Sequence, residues 1–375
     1  MSAESVNILL NTKTLSSIEK NIVDKVLKNE QITFDEGVFL YKEASLNYLS
    51  VLANYVKEKI SGKEVYFNKN FHIEPTNICV YNCKFCSYKR RLGEPEAWNY
   101  SIEQILEIVE KYKNTDITEV HIVGGVHPQY DVYYYGNILS QIKKILPKIH
   151  IKAFTAIELD FMIQKSNMTI EEGLLMLKEF GLDSIPGGGA EIFDEEIRKQ
   201  ICDEKSSSNL WLNIHKSAHK LGISSNATIL YGHVEKYEHR VDHLNRLREL
   251  QNETNGFNAF IPLKYRNFNN KLSHINEVSI IEDMRNYAVS RIFLNNIPHL
   301  KAYWVMLGKQ HAQMSLAFGV DDLDGTINDS TKIYTMAGVE ETNVRMNCSE
   351  MVQLIKSASL IPIERDSIYN KIQTY

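Results

Sequence analysis

The sequence predicts an α/β protein with a (β/α)8 TIM-type barrel, complete or partial, and an N-terminal helical extension. Short β-rich runs alternate with helical patterns along most of the 375 residues, which indicates parallel strands joined by helices. This length suits one large barrel with additions. The stretches of unusual chemistry follow predicted strands, and that is where such a barrel places its active site.

The N-terminal region is predicted to be helical. Apolar residues recur at helical spacing in Leu15 to Lys28, and Phe34 to Ala44 and Leu46 to Lys59 follow with similar patterns. We interpret residues 1–64 as a helical extension that covers the barrel from outside. Residues 65–345 would form the barrel, and residues 346–375 a C-terminal helical segment packed on it.

Eight β-rich runs follow the extension. The fourth and the eighth have the weakest patterns, so a partial barrel of six units is the alternative to a closed one. In chain order the candidates are Val65 to Ile73, Glu119 to Val123, His150 to Phe154, Ser184 to Ile185, Ser224 to Tyr231, Phe257 to Leu263, Leu300 to Val305 and Phe318 to Leu323.

Helix signals lie between these runs. Ser101 and Gln104 form a capping-box pattern ahead of an apolar helical face. A helix over Asn209 to Leu221 should end at Gly222, a usual stop, and His239 to Thr254 should form another.

Composition excludes several classes of protein. With 42 Lys and Arg against 47 Asp and Glu the net charge is −5, so we expect no nucleic-acid partner. Five cysteines, three of them clustered, fit a reducing cytoplasm better than a disulfide framework. We see neither a signal peptide nor a membrane-spanning run, and we expect a cytoplasmic protein without membrane insertion.

The most informative motif is the spacing C-x-x-x-C-x-x-C at Cys79, Cys83 and Cys86. Three thiolates can hold three irons of a 4Fe-4S cluster and leave the fourth iron open to a small molecule. A structural zinc site would need a fourth ligand, and Cys202 and Cys348 are isolated in the sequence. The spacing, with an aromatic residue before the last cysteine, resembles the radical S-adenosylmethionine (SAM) superfamily.

Glycines follow several predicted strands. In the superfamily a Gly-Gly-Glu stretch binds the amino group of SAM, and here Gly124 and Gly125 are followed by Val126. A plain turn is the alternative for this pair, and a helix N-terminal charge is the alternative for Glu191. Phosphate-binding glycine motifs are absent. The predicted cofactor-binding residues are Phe85, Gly124, Gly125, Glu158, Gly188 and Glu191.

A closer resemblance is to the aminofutalosine synthases of the menaquinone futalosine pathway. It rests on "HIEPTNICVYNCKFCSY", "HIVGGVHP", "HIKAFTAIE", "DSIPGGGAEIF", "NATILYGH" and "FGVDDLDGT". It implies that the 5′-deoxyadenosyl radical from SAM adds to the vinyl ether of 3-[(1-carboxyvinyl)oxy]benzoate. Rearrangement and decarboxylation would give 6-amino-6-deoxyfutalosine, with methionine as second product. SAM is then a co-substrate, and a flavodoxin or ferredoxin would be the one-electron donor.

This chemistry needs apolar walls around the radical and polar partners for two substrate carboxylates. Ile229, Phe260 and Ile261 are the predicted apolar wall. We predict His72, His233 and Arg240 as catalytic residues and Asn77 and Thr228 as substrate-binding residues. His127, Lys264 and Arg266 are further candidates, although an isolated histidine or basic residue is more often structural.

Two alternatives remain open from the sequence. Sister enzymes, the dehypoxanthine futalosine cyclase and the deazaflavin-precursor synthase, share "PGGGAE". A non-catalytic iron–sulfur protein for electron transfer or sensing is the alternative from another class. It would have a fully protein-ligated cluster and would not cleave SAM.

Overall fold

The computed structural model describes residue 6 and residues 15–326, 332–338 and 346–375. From residue 15 onward, three helices precede the strands, at Ser17–Lys28, Phe34–Lys42 and Leu46–Ser61. Each begins after a Ser or Thr whose side-chain oxygen accepts a backbone N–H of the first turn, which fixes the helix start. The extension contacts the barrel through Tyr41, whose hydroxyl donates to Asn286 Oδ1 at 2.7 Å.

Seven parallel strands form the main sheet, and their order in space is their order along the chain. This arrangement requires a crossover between each pair of neighbours, and helices supply most of them. The strands are β2 (Asn70–Ile73), β3 (Glu119–Ile122), β4 (His150–Ala153), β5 (Ser184–Ile185), β6 (Ser224–Tyr231), β7 (Phe257–Lys264) and β8 (His299–Leu300).

The helices between these strands cover the outside of the sheet. The predicted capping box is confirmed, because Ser101 and Gln104 bond each other's backbone at the start of Ile102–Glu110. The other helices are Val132–Ile145, Ala156–Lys165, Ile170–Glu179, Glu195–Cys202, Ser208–Lys220, Tyr237–Thr254, Ile280–Phe293, Trp304–Leu307 and Lys309–Ser315.

The predicted barrel is therefore confirmed in its partial form, and three strand predictions need correction. The seventh run, Leu300 to Val305, is a strand only at β8, and its end lies in the helix Trp304–Leu307. The first run is two strands, β1 (Glu64–Asn68) and β2, with only Lys69 between them, and they belong to different sheets. The eighth run corresponds to β9 (Asp322–Gly325), which pairs with β1 and meets the chain after β8 through a bridge between Lys301 and Asp322. β9 thus closes the wall from a second sheet.

The C-terminal segment is helical only in its first part, which corrects the prediction. Helix Cys348–Ser357 leads into β10 (Ile361–Arg365) and β11 (Lys371–Thr374). These strands complete the second sheet, whose order is β11-β10-β1-β9. The predicted division at residues 64 and 345 stays a prediction. A short helix, Ile333–Met336, lies between β9 and this segment.

Buried ion pairs hold β9 in place, and we call them the seam. Charges out of water need close partners, and Asp321, Asp322 and Asp324 are all buried. The pairs are Asp321 with Arg291 at 2.7 Å and with His299 at 2.9 Å, Asp322 with Arg365 at 2.6 Å, and Asp324 with Lys301 at 2.5 Å. Within the described ranges, no helix has the length and apolarity needed to cross a membrane.

Candidate active site

A cavity of about 320 Å³ opens inside the partial barrel. The loops after β2, β3, β4 and β5 line its upper part, and side chains of β3, β4, β6 and β7 line its depth. Because the strands are parallel, their carboxyl ends meet at one end of the barrel. Several separate sequence motifs therefore share one space.

The three motif cysteines lie on the loop after β2, and all three line the cavity. Backbone hydrogen bonds fix this loop on both sides. Cys79 N donates to Arg90 O at 3.0 Å, and Lys84 N donates to Ile201 O at 2.8 Å. The thiols are consequently held by a braced backbone rather than by a free loop.

The thiols fit a cluster better than a single metal ion. Burial raises the pKa of Cys83 and of Cys86, so both are neutral thiols unless a metal stabilises the thiolates. In the described part of the chain, no three His, Cys, Asp or Glu side chains converge on one point as a single ion requires. A cubane makes a different demand, since each thiolate binds its own iron.

Gly124 and Gly125 form a shelf beside the cysteine loop, and both line the cavity. A Cβ on Gly125 would lie 2.4 Å from Ile78 O, and one on Gly124 would lie 2.8 Å from Thr76 O. Gly125 N also donates to Thr76 O at 2.7 Å. Glycine is needed here because the backbone of the cysteine loop occupies the space of a side chain.

Glu158 lies behind this shelf and is not among the described residues that line the cavity. Its Oε1 accepts from Gly124 N at 3.0 Å, and its Oε2 accepts from Thr155 N at 2.8 Å. Burial raises the pKa of this carboxyl to about 7. Glu158 thus supports the shelf that faces the ligand, and the structure does not bring it to the cavity itself.

Gly188 and Thr228 lie on the opposite wall. Thr228 Oγ1 donates to Gly187 O at 2.8 Å, and Trp211 Nε1 donates to Gly188 O at 3.2 Å. These bonds hold the glycine run flat against β6, where a Cβ on Gly187 would lie 2.2 Å from Asn226 O. The wall therefore presents backbone to the cavity.

An ion pair lies beside the cysteine loop. Lys205 Nζ lies 2.5 Å from Glu191 Oε1 and 5.1 Å from the centroid of the Phe85 ring. All three residues line the cavity. The predicted cofactor residues Phe85 and Glu191 thus lie beside the thiols, together with a lysine that the sequence reasoning missed.

His72 and Asn77, two predicted site residues, lie outside the cavity lining. His72 is buried on β2 against the ring of His121, with centroids 4.6 Å apart, and burial lowers its pKa to about 4. Asn77 binds the neighbouring loop, donating to Glu96 O at 3.0 Å and accepting from Trp98 N at 2.8 Å. Both side chains serve local structure.

His233 and Arg240 are also engaged elsewhere. His233 Nε2 lies 3.0 Å from Leu230 O, and its Nδ1 accepts from Val234 N at 2.8 Å. Arg240 pairs with Glu235 at 2.8 Å and Glu282 at 2.6 Å, between the barrel and the N-terminal helices. Their placement gives no support to the predicted catalytic roles.

The remaining predicted site residues fall into two groups. Ile261, Lys264 and Arg266 line the cavity, whereas Ile229, Phe260 and His127 are not among its described lining residues. Lys264 pairs with Asp283 at 2.9 Å and Arg266 with Glu277 at 3.2 Å.

Sequence reasoning missed the polar floor of the cavity. His121 on β3 and Lys152 on β4 line it, as do Lys301 and Asp324 near the closing strand. A lysine in a strand usually faces solvent, so the residue type alone did not indicate that Lys152 lines a cavity. The alternation of the strand did indicate that His121 faces the lumen, because residues two apart share a face and both His121 and Val123 line the cavity.

Comparison with known proteins was made at the level of sequence and of fold. Residues 73–247 match the radical SAM superfamily, and residues 254–374 match the CofH/MqnC C-terminal region. The aminodeoxyfutalosine synthase of Thermus thermophilus is 39% identical over 94% of this chain and 96% of its own. That of Streptomyces coelicolor is 37% identical over 96% and 95%.

A relative with another name is nearly as similar. The 5-amino-6-(D-ribitylamino)uracil–L-tyrosine 4-hydroxyphenyl transferase of Methanocaldococcus jannaschii is 37% identical over 92% of this chain and 98% of its own. Among solved structures, methylornithine synthase superposes with a TM-score of 0.72 at 18% identity, covering 92% of this chain and 97% of that one. At that identity the superposition supports the fold alone.

Proposed function

This chain belongs to the radical SAM superfamily, and from that premise we propose that it is an aminodeoxyfutalosine synthase. The superfamily uses a 4Fe-4S cluster and SAM. One observation carries the proposal: the near-full-length identity of 39% to a synthase of that name. The cavity supports it, because three thiols, a glycine shelf and several cationic side chains share one space.

The cluster, when bound, supplies the electron that cleaves SAM. Cys79, Cys83 and Cys86 would hold it by their sulfurs. Gly124 and Gly125 would let SAM lie against their backbone, where a side chain has no room. Glu191 would accept from an ammonium or ribose hydroxyl, and Lys205 beside it adds a positive charge at the same place.

We propose 3-[(1-carboxyvinyl)oxy]benzoate as the second substrate. Ile261 and Leu263 give the lumen an apolar side that can hold an aromatic ring and exclude water from a radical. Thr228, which also lines the cavity, would contact either SAM or the benzoate. The two carboxylates need cationic or hydrogen-bonding partners, and the cavity lining offers them.

We propose a flavodoxin or ferredoxin as the one-electron donor, and no nucleic-acid partner, in accordance with the net charge of −5.

The transferase reaction is the second candidate, favoured by 37% identity to the Methanocaldococcus jannaschii enzyme. The name of that enzyme assigns it L-tyrosine and 5-amino-6-(D-ribitylamino)uracil as substrates. A phenol ring would fit the same apolar lumen, so the cavity does not separate the two.

One experiment separates them. The protein is reconstituted anaerobically, reduced with dithionite and incubated with SAM and either 3-[(1-carboxyvinyl)oxy]benzoate or the tyrosine and uracil pair. We expect an adenine-containing adduct and methionine with the benzoate. A coupled product from the second pair, without adduct from the first, would replace the synthase assignment by the transferase. SAM left uncleaved with both would contradict both candidates.

A further inference from the structure

We propose that the floor of the cavity is an anion subsite, formed by His121 and Lys152, that takes the aryl carboxylate of the substrate. The inference rests on the proposed synthase function and names the residues that recognise one end of its substrate. It follows from register, charge and hydrogen bonding at the base of the lumen.

The register puts the two residues side by side. His121 on β3 pairs with Lys152 on β4, and both line the cavity. Gly124 follows His121 by three positions, so the subsite lies about 10 Å below the glycine shelf at the usual rise of a strand. With the amino group of SAM at the shelf and the benzoate below SAM, the ring carboxylate of a meta-substituted benzoate would point to the floor.

The cavity is suited to an anion. Its described lining has six cationic side chains and two anionic ones, and five of the six cations are paired with a carboxylate, so an anion would bind to their remaining N–H donors. The charged lining residues are Lys89, Lys152, Lys205, Lys264, Arg266 and Lys301 against Glu191 and Asp324. Lys152 is paired with Glu119 at 2.6 Å, which uses one of its three N–H donors.

His121 is the unpaired group of the floor. Within the described residues Nε2 of His121 is buried without a hydrogen-bond partner, as is Nε2 of His72 outside the cavity lining. Buried polar groups normally have partners, so an unpaired ring in a ligand cavity indicates a missing ligand atom. Burial holds the pKa of His121 well below its usual range, so the ring is neutral and keeps one N–H to donate.

The neighbouring His72 provides a matched control. Its ring contacts that of His121 at a tilt of 59°, but it is not among the described residues that line the cavity. Changing either histidine to Phe keeps the ring contact and removes the nitrogens. Only the change at His121 should alter ligand recognition.

The test measures the affinity of 3-[(1-carboxyvinyl)oxy]benzoate and of its ring carboxamide analogue for the reconstituted protein with SAM and no reductant, by calorimetry. We expect the wild-type protein and His72→Phe to prefer the carboxylate by about tenfold or more, a difference of about 1.4 kcal/mol. His121→Phe and the double variant Glu119→Gln/Lys152→Met, which removes both members of the pair, should reduce the preference to threefold or less. Thermal unfolding checks that each variant is folded.

The inference is overturned if His121→Phe and the double variant both keep the wild-type preference, or if the wild type does not discriminate. Adduct formation by the wild type, measured in the same preparation, tests the proposed function separately. A wild type that forms the adduct while the floor variants keep full preference refutes the subsite alone. A wild type that binds neither compound and forms no adduct refutes the synthase function, and the subsite with it.

Discussion

The cavity and the seam both contain charged side chains inside the barrel, but the Asp321 and Asp322 pairs of the seam are outside the described cavity lining, which only its Lys301–Asp324 pair joins. In the seam, Arg291 and Arg365 lie within 2.7 Å of the aspartates they neutralise, and all four groups are buried. In the cavity, Lys205 and Glu191 flank a space of about 320 Å³ that also contains the three thiols. A buried charge therefore indicates a function only where it faces unfilled volume and chemically reactive neighbours.

The largest expected effect is at the cavity. Cys83→Ala should abolish the 4Fe-4S cluster and SAM cleavage, because one of three iron ligands is lost. Iron and sulfide content, the visible absorption spectrum and 5′-deoxyadenosine formation measure this. Cys202→Ala is the control, since this buried thiol is outside the cavity lining. An intact cluster in Cys83→Ala, or its loss in Cys202→Ala, would break the comparison.

The seam should respond in stability. Arg365→Met leaves Asp322 buried without its partner at 2.6 Å, and we expect a loss of about 3–5 kcal/mol in the free energy of unfolding. Urea denaturation measures it. The double variant Arg365→Met/Asp322→Asn removes both charges and should recover much of the loss. A single variant as stable as wild type would show that the seam does not hold the barrel wall.

Glu158 shares a property with each region. It is buried like the seam residues, and it supports the glycine shelf of the cavity. Its pKa is raised by burial to about 7. The folded protein therefore favours the protonated form of this carboxyl over the ionised form. The contribution of Glu158 to the free energy of unfolding should be lost as pH rises from about 4.5 to 7. We expect this group to cost the wild type about 3 kcal/mol over that range.

Glu158→Gln removes the titrating group and keeps an acceptor for Gly124 N. Urea denaturation of both proteins at several pH values from 4.5 to 8 should show a flatter pH dependence for the variant. Equal slopes for the two proteins would mean that Glu158 is ionised throughout, with its three hydrogen bonds compensating for burial.

The smallest expected effect is at the cavity wall. Thr228→Val removes the hydroxyl that donates to Gly187 O at 2.8 Å, a loss of about 1 kcal/mol. We expect SAM affinity to fall about fivefold in calorimetry, because the glycine run is less well held. Thr254→Val loses a similar bond to Leu250 O on an outer helix and should leave SAM affinity unchanged. Equal effects of the two variants would contradict a role of this wall in binding.

The sequence predicted best what depends on local chemistry. Strand β6 has the predicted bounds, because alternation and flanking turns act over a few residues. The predicted cysteines and glycines line one cavity. They could be identified from the sequence because the spacing of the cysteines and the missing side chain of glycine do not depend on distant partners. The eighth predicted run, observed as β9 (Asp322–Gly325), has a weak strand pattern because two of its four residues are acidic. The partners that neutralise them come from distant elements.

The sequence predicted polar side chains poorly, because their partners are distant in the chain. Arg240 is neutralised in part by Glu282, 42 residues away, and Asn77 is used by the backbone near Trp98, 21 residues away. Conversely, nothing in the local pattern around Lys152 shows that Glu119 on the neighbouring strand lets it face inward. Direction of a side chain is set by the tertiary structure.

The position of β1 has a consequence for how the chain assembles. β1 ends one residue before the strand that leads to the cysteine loop, yet its sheet partners lie roughly 250 and 300 residues further along the chain. Such distant pairing carries a high loop-closure entropy and forms late. The second sheet is therefore completed only once the far end of the polypeptide is available, whereas β2, which leads to the cysteine loop, pairs with the next strand in the sequence.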